Sequence, residues 1–417
     1  MKFVVKACTQ QTNEVNAEEM YNFSSKNARM CYFAKENVEE VWNEPAEISQ
    51  KRIQSIIRSG HHSPTEHINI TFHFLDAPIL FALLLHNQRP YSTSQRSARY
   101  TENGYVNECE NNLFKNWKNT LKELIDESYP MSENGLPLLT KKGFRPSLGT
   151  DGDELKEWDI SFLSEKNRVK LADENARNFK SVMSPTTFSY TTNLRELNYQ
   201  YIWAKKILDQ KDCHPWIELL KPSLKDYAEG LLALDIIKDD FEDGKDRTFV
   251  FIEQNRKLIG GEHFADTYAT QYKGTTPLFG QRHRHRVSNF TFSVPEEQED
   301  RDFYVPIILR EYGDSGLIED WKEDMRKVKD AQGTLLDITE TGTLEGFKIS
   351  IPERICTRAQ LENQVIARNL TKKYVQSLKA QDSPQAAELE AYLHKKQCKT
   401  CNEKCGFPEG QLGKRII

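Results

Sequence analysis

A short alternating segment between two helical patterns does most to limit what this chain can fold into. In Ile68–Phe74, Ile and Phe alternate with Asn, Thr and His, which predicts a half-buried strand. Apolar residues three and four apart in Val38–Arg58 and Asn111–Ile125 predict amphipathic helices on either side, and Ile79–Asn87 predicts a helix directly after the strand. Helices and strands therefore alternate along the chain.

The length of the chain predicts more than one domain. Its 417 residues exceed what one ordinary hydrophobic core organises, so we expect two domains. A charged run, Lys238–Asp246, precedes a predicted strand that starts at Thr248 and puts the boundary there. We therefore expect a first domain at 1–236, with a Gly-, Pro- and charge-rich surface insertion around 130–174, and a second domain at 237–417.

Composition and charge exclude several classes of protein. Apolar residues at 38% and charged residues at 29% are typical of a globular protein with a well-solvated surface. A net charge of −5 gives no general attraction for a nucleic acid polymer. The longest apolar run, Ala77–Leu85, is far shorter than the roughly 20 residues of a membrane span, and the first residues lack a secretory signal. We expect a cytoplasmic protein that binds neither membranes nor nucleic acid polymers.

Two motifs flank the predicted strand and the helix after it. Gly60–His67 reads G-H-H-S-P-T-E-H, and Asn87–Tyr100 reads N-Q-R-P-Y-S-T-S-Q-R-S-A-R-Y. These stretches resemble two elements of the flavin-dependent thymidylate synthases, G-H-x-S/T-P-x-E-H and R-H-R-x-x-S-x-N-E-x-S-x-R-Y. The second is kept at Arg89, Ser92, Ser97, Arg99 and Tyr100 and replaced at Asn87, Gln88, Ser94 and Gln95.

The resemblance continues downstream and recurs in the second half. Glu174–Arg177 is similar to the family's E-x-A-R, and Asn193–Leu197 is similar to its flavin-binding N-x-R-S-L. In the second half, Gln281 stands three residues before Arg284-His285-Arg286, as a Gln precedes R-H-R in the family, and Glu345–Lys348 overlays E-x-A-R with Lys348 at the Arg position. The two halves resemble a tandem pair of copies with complementary losses.

The resemblance implies a fold and a shared nucleotide site. The family fold is α/β (α+β), a mixed and mostly antiparallel sheet flanked by long helices, and we expect two such units here. In the family, each nucleotide site combines the Gln, the R-H-R arginine and the A-R arginine of one subunit with the E-x-S-x-R residues of another. One site per chain is therefore implied, with six substrate-binding residues from both halves: Gln281, Arg284, Lys348, Gln95, Ser97 and Arg99.

The resemblance also implies a flavin and a reaction. Guanidinium groups suit the phosphates of a nucleotide or a flavin, and contacts to FAD are implied for eight residues: His61, Ser63, Glu66, Arg284, His285, Arg286, Asn193 and Arg195. The family transfers a methylene from methylene-tetrahydrofolate to carbon 5 of dUMP; reduced FAD gives the hydride, and NADPH re-reduces the flavin. The implied function is conversion of dUMP to dTMP, by a homodimer that rebuilds the family's tetramer as a pseudo-tetramer.

Two alternatives to this function stay open. Gln95 stands where the family has Glu and Lys348 where it has Arg, so the chain could be a related flavoenzyme that modifies another uridine-type nucleotide. A degenerate scaffold that binds a nucleotide or flavin without catalysis is the alternative from a different class.

Four cysteines form a separate feature near the C-terminal end of the sequence. Cys398, Cys401 and Cys405 follow one another closely, and Cys356 could join them. Thiolates at this spacing suit structural Zn or an iron–sulfur cluster, whereas free thiols in a frayed tail are the alternative.

Overall fold

The structure, a computed structural model, describes most of the chain as mixed helix and strand. It covers residues 2–8, 14–30, 38–88, 90–96, 104–140, 154–157, 163–241, 267–283, 286–348 and 362–390. The chain divides into two compact units, one of Met1–Ser97 and Met183–Phe251, the other of Ala98–Val182 and Ile252–Ile417. Each contains an antiparallel sheet and several helices, which confirms the α/β (α+β) class. The boundary at 236/237 refers to sequence copies and stays a prediction.

The elements run in the following order. The helices are α1 Ala17–Arg29, α2 Val38–Trp42, α3 Ala46–Arg58, α4 Ile79–His86, α5 Glu108–Ser128, α6 Glu165–Ala176, α7 Leu194–Asp209, α8 Pro215–Ala233, α9 Thr276–Arg282, α10 Ile307–Tyr312, α11 Ser315–Arg326, α12 at residues 344–348, α13 Glu362–Ala380 and α14 Gln385–Glu390. The strands are β1 Lys2–Cys8, β2 Asn69–Pro78, β3 Ser92–Gln95, β4 Leu138–Thr140, β5 Leu155–Glu157, β6 Pro185–Asn193, β7 Thr267–Gly274, β8 Ser288–Ser293 and β9 Leu336–Thr343. Within this described part, no helix is both long and apolar enough to cross a membrane.

The first unit is built on a four-stranded antiparallel sheet in the order β1-β2-β6-β3. Side chains alternate across β2, so Ile70, Phe72 and Phe74 are fully buried on one face. The Phe74 ring stacks on Phe188 of β6 at 4.7 Å and lies 5.9 Å from Tyr227 of α8. The predicted strand at 68–74 and the helix after it are thus present as β2 and α4.

The predicted helix at 38–58 is two helices, α2 and α3, because Pro45 separates them. Proline has no N–H to donate and disfavours helical backbone in the residue before it, so Pro45 stands at the N-cap of α3. The buried Glu44 beside it accepts hydrogen bonds from Arg29 and Arg52, each at 2.5 Å, and from Ser49. The other predicted helix, at 111–125, is present as α5, whose N-cap Asn107 accepts a hydrogen bond from the Glu110 N–H.

The second unit contains a three-stranded sheet that repeats the connections of the first. Its order is β7-β9-β8, all antiparallel, and the corresponding strands of the first sheet run β2-β6-β3. A helix follows the first strand of each set, α4 after β2 and α9 after β7, and another follows the middle strand, α7 after β6 and α12 after β9. The strand predicted to start at Thr248 lies outside the described residues.

The second unit also has a helical core with a two-fold pattern. The Trp321 ring of α11 lies 4.9 Å from Trp117 of α5 and 4.6 Å from Phe179. Two segments, 178–182 and 329–333, pair antiparallel: the Val182 N–H donates to the Asp330 carbonyl at 2.9 Å and the Gln332 N–H to the Lys180 carbonyl at 2.7 Å. Each segment follows a 12-residue helix, α6 or α11, so the two sides of this contact have the same local arrangement.

Candidate functional site

The pairing of β2 with β6 brings two of the predicted motifs together in the first unit. Asn69 is paired with Asn193 at the ends of these strands, and the Leu194 N–H donates to the Ile68 carbonyl at 2.9 Å. The turn before β2, a 3-10 helix at Ser63–His67, therefore lies beside the start of α7. Side chains more than 120 residues apart in sequence meet there.

Arg195 is the centre of this site. Its Nη1 donates to Glu66 Oε1, and its Nε lies 3.3 Å from the hydroxyl of Tyr199, one helical turn further along α7. The Tyr199 hydroxyl lies 2.8 Å from Nδ1 of the buried His62, and His62 Nε2 lies 3.2 Å from the Ile57 carbonyl. Glu66, Arg195, Tyr199 and His62 thus form one continuous chain of hydrogen bonds, which we call the Arg195 chain.

The exposure of these residues leaves polar groups open to a ligand. His61 and Ser63 are exposed, and the side chains of Arg195 and Glu66 are 21% and 39% exposed. Burial lowers the pKa of Arg195, but its hydrogen bonds to Tyr199 and Glu66 outweigh burial and raise the pKa above the usual value. The guanidinium is therefore a permanent donor. Together with the Ser63 hydroxyl, it fits the carbonyl, hydroxyl and phosphate oxygens of the flavin that the resemblance implies.

Asn193, another predicted flavin contact, caps a helix. Its side-chain oxygen accepts a hydrogen bond from the Glu196 N–H at 2.8 Å, and the residue is only 3% exposed. An Asn at this position satisfies one of the N–H groups that the first turn of α7 leaves without a carbonyl. The arrangement directs α7 so that Arg195 faces Glu66.

The predicted nucleotide-binding residues are divided between the two units. Gln95 is half-buried on β3 in the first unit, with its Nε2 3.3 Å from the Thr186 hydroxyl. Gln281 is half-buried on α9 and Arg286 is exposed, with a left-handed backbone at φ 57°, both in the second unit. The other predicted residues of these motifs lie outside the described residues: Ser97, Arg99, Arg284 and His285.

The order of elements separates Lys348 from the position of Arg177. Lys348 lies on α12, after β9, whereas Arg177 is the C-cap of α6, before β6. The residue at the C-cap of α11, before β9, is Lys327. Lys348 lies 2.7 Å from both Glu345 and Glu388. Glu345–Lys348 therefore follows a strand of its sheet, whereas Glu174–Arg177 precedes one.

The start of α12 differs from the start of α7 in charge. Thr343 ends β9 and accepts a hydrogen bond from the Gly346 N–H at 3.0 Å, as Asn193 ends β6 and caps α7. Two residues after each cap, the first unit has Arg195 and the second unit has Glu345. At this position the second unit therefore has an acidic side chain, where the first unit has the guanidinium of Arg195.

Arg282 belongs to the basic run before β8 but lies in the core. It is fully buried on α9, its Nε lies 2.9 Å from Glu340 Oε2, and Glu340 also accepts hydrogen bonds from the hydroxyls of Tyr268 and Tyr272. A buried charge needs such partners because removal from water is costly. Arg282 is therefore a structural residue, so the basic run is not uniformly a surface feature.

The structure leaves the predicted metal site untested. Cys356, Cys398, Cys401 and Cys405 lie outside the described residues. Within the residues that are described, no group of three or more His, Cys, Asp or Glu side chains could hold a metal ion, and Cys109 and Cys213 are free thiols.

Sequence reasoning missed the two buried members of the Arg195 chain. His62 occupies a variable position of G-H-x-S/T-P-x-E-H, so the motif gave it no role. Tyr199 lies four residues after Arg195, and this helical spacing is the signal that could have identified it as a partner.

Comparison with known proteins finds a family that the first half of the chain resembles. The family model described as Thymidylate synthase complementing protein matches residues 16–203. A flavin-dependent thymidylate synthase of Pseudothermotoga lettingae is 36% identical over 104 residues, which are 22% of this chain and 45% of that protein. The chain thus spans about half the length of this curated relative.

Solved structures of similar proteins share less of the sequence. Thymidylate Synthase X from Helicobacter pylori with FAD and dUMP is 16% identical, covers 58% of this chain and 99% of that one, and has a TM-score of 0.30. The UMP/dUMP methylase PolB from Streptomyces cacaoi, bound with 5-Br dUMP, is 16% identical, covers 57% and 96%, and has a TM-score of 0.29. Residues 16–203 of this chain are thus similar to the Thymidylate synthase complementing protein family, and part of the chain is similar to a flavin-dependent thymidylate synthase.

Proposed function

We propose that this protein methylates carbon 5 of a pyrimidine nucleotide in a flavin-dependent reaction, with conversion of dUMP to dTMP as the expected case. The observation that carries the proposal is the contact of Glu66 with Arg195 inside the part of the chain that the family model matches. The relative that is 36% identical over 104 residues is a flavin-dependent thymidylate synthase.

The chain's own residues act by binding and positioning. When bound, FAD supplies the hydride chemistry. Arg195, Ser63 and His61 hold oxygen atoms of the cofactor, and Glu66 keeps Arg195 in place. Gln95 and Gln281 read polar atoms of the pyrimidine, while Ser97, Arg99 and Arg284 bind the nucleotide phosphate and sugar. Hydrogen-bond donors in fixed positions lower the activation barrier, because they hold the nucleotide and the flavin in the orientation that the reaction requires.

The composite nucleotide site remains part of this proposal. The repeated strand order of the two sheets supports a tandem chain in which each copy supplies different residues. Lys327 is a second candidate beside Lys348 for the cation of E-x-A-R, because it takes the C-cap place of Arg177. Methylene-tetrahydrofolate as carbon donor, NADPH as reductant and a homodimer are carried over from the resemblance.

Flavin absorbance and turnover test the proposal together. The purified chain, mixed with FAD, should show a flavin spectrum that dUMP perturbs, and Arg99→Ala and Arg284→Ala should each abolish the perturbation. With methylene-tetrahydrofolate and NADPH, tritium should be released from dUMP labelled at carbon 5. Flavin binding without tritium release from dUMP or UMP would favour the non-catalytic alternative, and release from UMP alone would favour the related flavoenzyme.

The C-terminal cysteines form a separate proposal. We propose that Cys356, Cys398, Cys401 and Cys405 bind Zn or an iron–sulfur cluster. Metal analysis of the purified protein should find one equivalent of Zn, or iron with acid-labile sulfide. Substitution of Cys401 by Ser should remove the metal, and a metal-free wild-type protein would contradict the proposal.

A further inference from the structure

The Ile57 carbonyl, at the buried end of the Arg195 chain, determines the direction of the hydrogen bonds that join His62, Tyr199 and Arg195. The Ile57 carbonyl can only accept, so His62 carries its proton on Nε2 and, in the neutral ring, has a lone pair on Nδ1. Nδ1 therefore accepts from the Tyr199 hydroxyl, whose own lone pairs face the Arg195 Nε–H. The Ile57 carbonyl thus orients the Tyr199 hydroxyl so that it accepts a hydrogen bond from Arg195.

The chain also runs from the interior to the surface. His62 is 1% exposed and Tyr199 is 2% exposed, and the Phe241 ring packs 4.3 Å from His62 and 5.9 Å from Tyr199. Arg195 and Glu66 are half-buried at the outer end. Two guanidinium nitrogens, Nε and Nη1, bond to Tyr199 and Glu66, while Nη2 has no hydrogen bond to any residue that the structure describes.

We propose that His62 and Tyr199 are positioning residues for the flavin: they hold Arg195 so that its Nη2 donates to an acceptor oxygen of the cofactor. This inference rests on the proposed function. Neither residue touches the ligand; both act through Arg195. Because both are buried and hydrogen-bonded before any ligand arrives, the guanidinium does not have to be ordered on binding, which increases affinity.

Affinity for FAD, measured by quenching of flavin fluorescence, tests the inference without turnover. Tyr199→Phe removes one hydroxyl and should raise the Kd for FAD about five- to tenfold, the effect of one hydrogen bond. His62→Phe, which keeps a ring against Phe241 but removes the acceptor, should raise it in the same direction. Tyr190→Phe is the matched control, because its buried hydroxyl bonds to Gln200 and not to Arg195; it should leave the Kd unchanged.

A double-mutant cycle separates positioning from general destabilisation. Arg195→Ala should weaken FAD binding, and Tyr199→Phe should add nothing further in the Arg195→Ala background, because it acts only through that side chain. Equal effects of Tyr199→Phe and Tyr190→Phe, or full additivity with Arg195→Ala, would overturn the inference. Absence of FAD binding by the wild-type protein would instead overturn the proposed function on which the inference rests.

Discussion

Ser181 and Ala331 form an antiparallel bridge in the second unit, and each lies shortly after the end of a 12-residue helix, α6 or α11. The hydrogen bonds on either side of the bridge are exchanged in the same way, from Val182 to Asp330 and from Gln332 to Lys180. Contacts between equivalent surfaces are the mark of a two-fold interface. The two segments therefore form a local two-fold contact within the second unit.

Gly333→Ala should weaken this pairing. A Cβ at Gly333 would stand 2.8 Å from Asn178 Cβ and 3.2 Å from the Asn178 carbonyl oxygen, and neither atom can move without its backbone. We expect a loss of about 1–3 kcal/mol in the free energy of unfolding, as for other overpacked sites. Urea unfolding followed by tryptophan fluorescence measures it. Gly316→Ala, whose only near neighbour is a side-chain oxygen at 3.3 Å, is the control; equal stabilities of the two variants would contradict the prediction.

Arg282 and Glu340 should show strong coupling in stability. Arg282→Met leaves the fully buried Glu340 carboxylate without its cation and should cost about 3–5 kcal/mol. Adding Glu340→Gln removes the uncompensated charge and keeps an acceptor for Tyr268 and Tyr272, so the double variant should be more stable than Arg282→Met alone. Denaturant unfolding of the full cycle provides the comparison. Simple additivity of the two changes would show that the pair is not coupled.

Glu44 should make the first unit sensitive to acid. The hydrogen bond from Arg52 lowers the pKa of this carboxyl to about 2 from 4.5, against the opposing effect of burial. Because the folded-state pKa is the lower one, the stabilisation is complete above about pH 4.5 and is lost as the pH falls towards 2. Glu44→Gln should cost about 2–3 kcal/mol at pH 7 and much less near pH 2. Unfolding curves across this pH range measure it, with the exposed Glu47→Gln as control.

Asn193 should contribute more to the stability of the protein than to its affinity for FAD. Asn193→Ala removes the cap of α7 and should cost about 1 kcal/mol in unfolding free energy, whereas Asn193→Asp and Asn193→Ser keep a capping oxygen and should cost little. All three should bind FAD with similar affinity once folded. If Asn193→Ser were as stable as the wild type and yet bound FAD poorly, the side chain would contact the cofactor directly.

The sequence predicted local structure and motif partners better than long-range arrangement. Alternation located β2 and helical spacing located α5, because those patterns reflect one buried face. The break at Pro45 was also encoded locally, although the periodicity of Val38–Arg58 obscured it. The motifs predicted that His61 and Glu66 share a function with Arg195, and the pairing of Asn69 with Asn193 brings Glu66 and Arg195 into contact.

Other features depend on contacts that no local pattern contains. The role of Tyr199 follows from a buried histidine more than 130 residues away in sequence. Lys348 was matched to Arg177 by the residues around it, whereas the order of strand and helix aligns Arg177 with Lys327, since each is the C-cap of a helix before a strand. Arg282 resembles its basic neighbours until Glu340 of another strand is seen beside it.

The paired segments 178–182 and 329–333 have a genetic consequence. In an assembly of identical subunits, one codon change alters both sides of a two-fold contact at once. Here the facing residues have separate codons and differ: Lys180 and Asp330 occupy matching places and carry opposite charges. Selection can therefore change one side of this contact without altering the other.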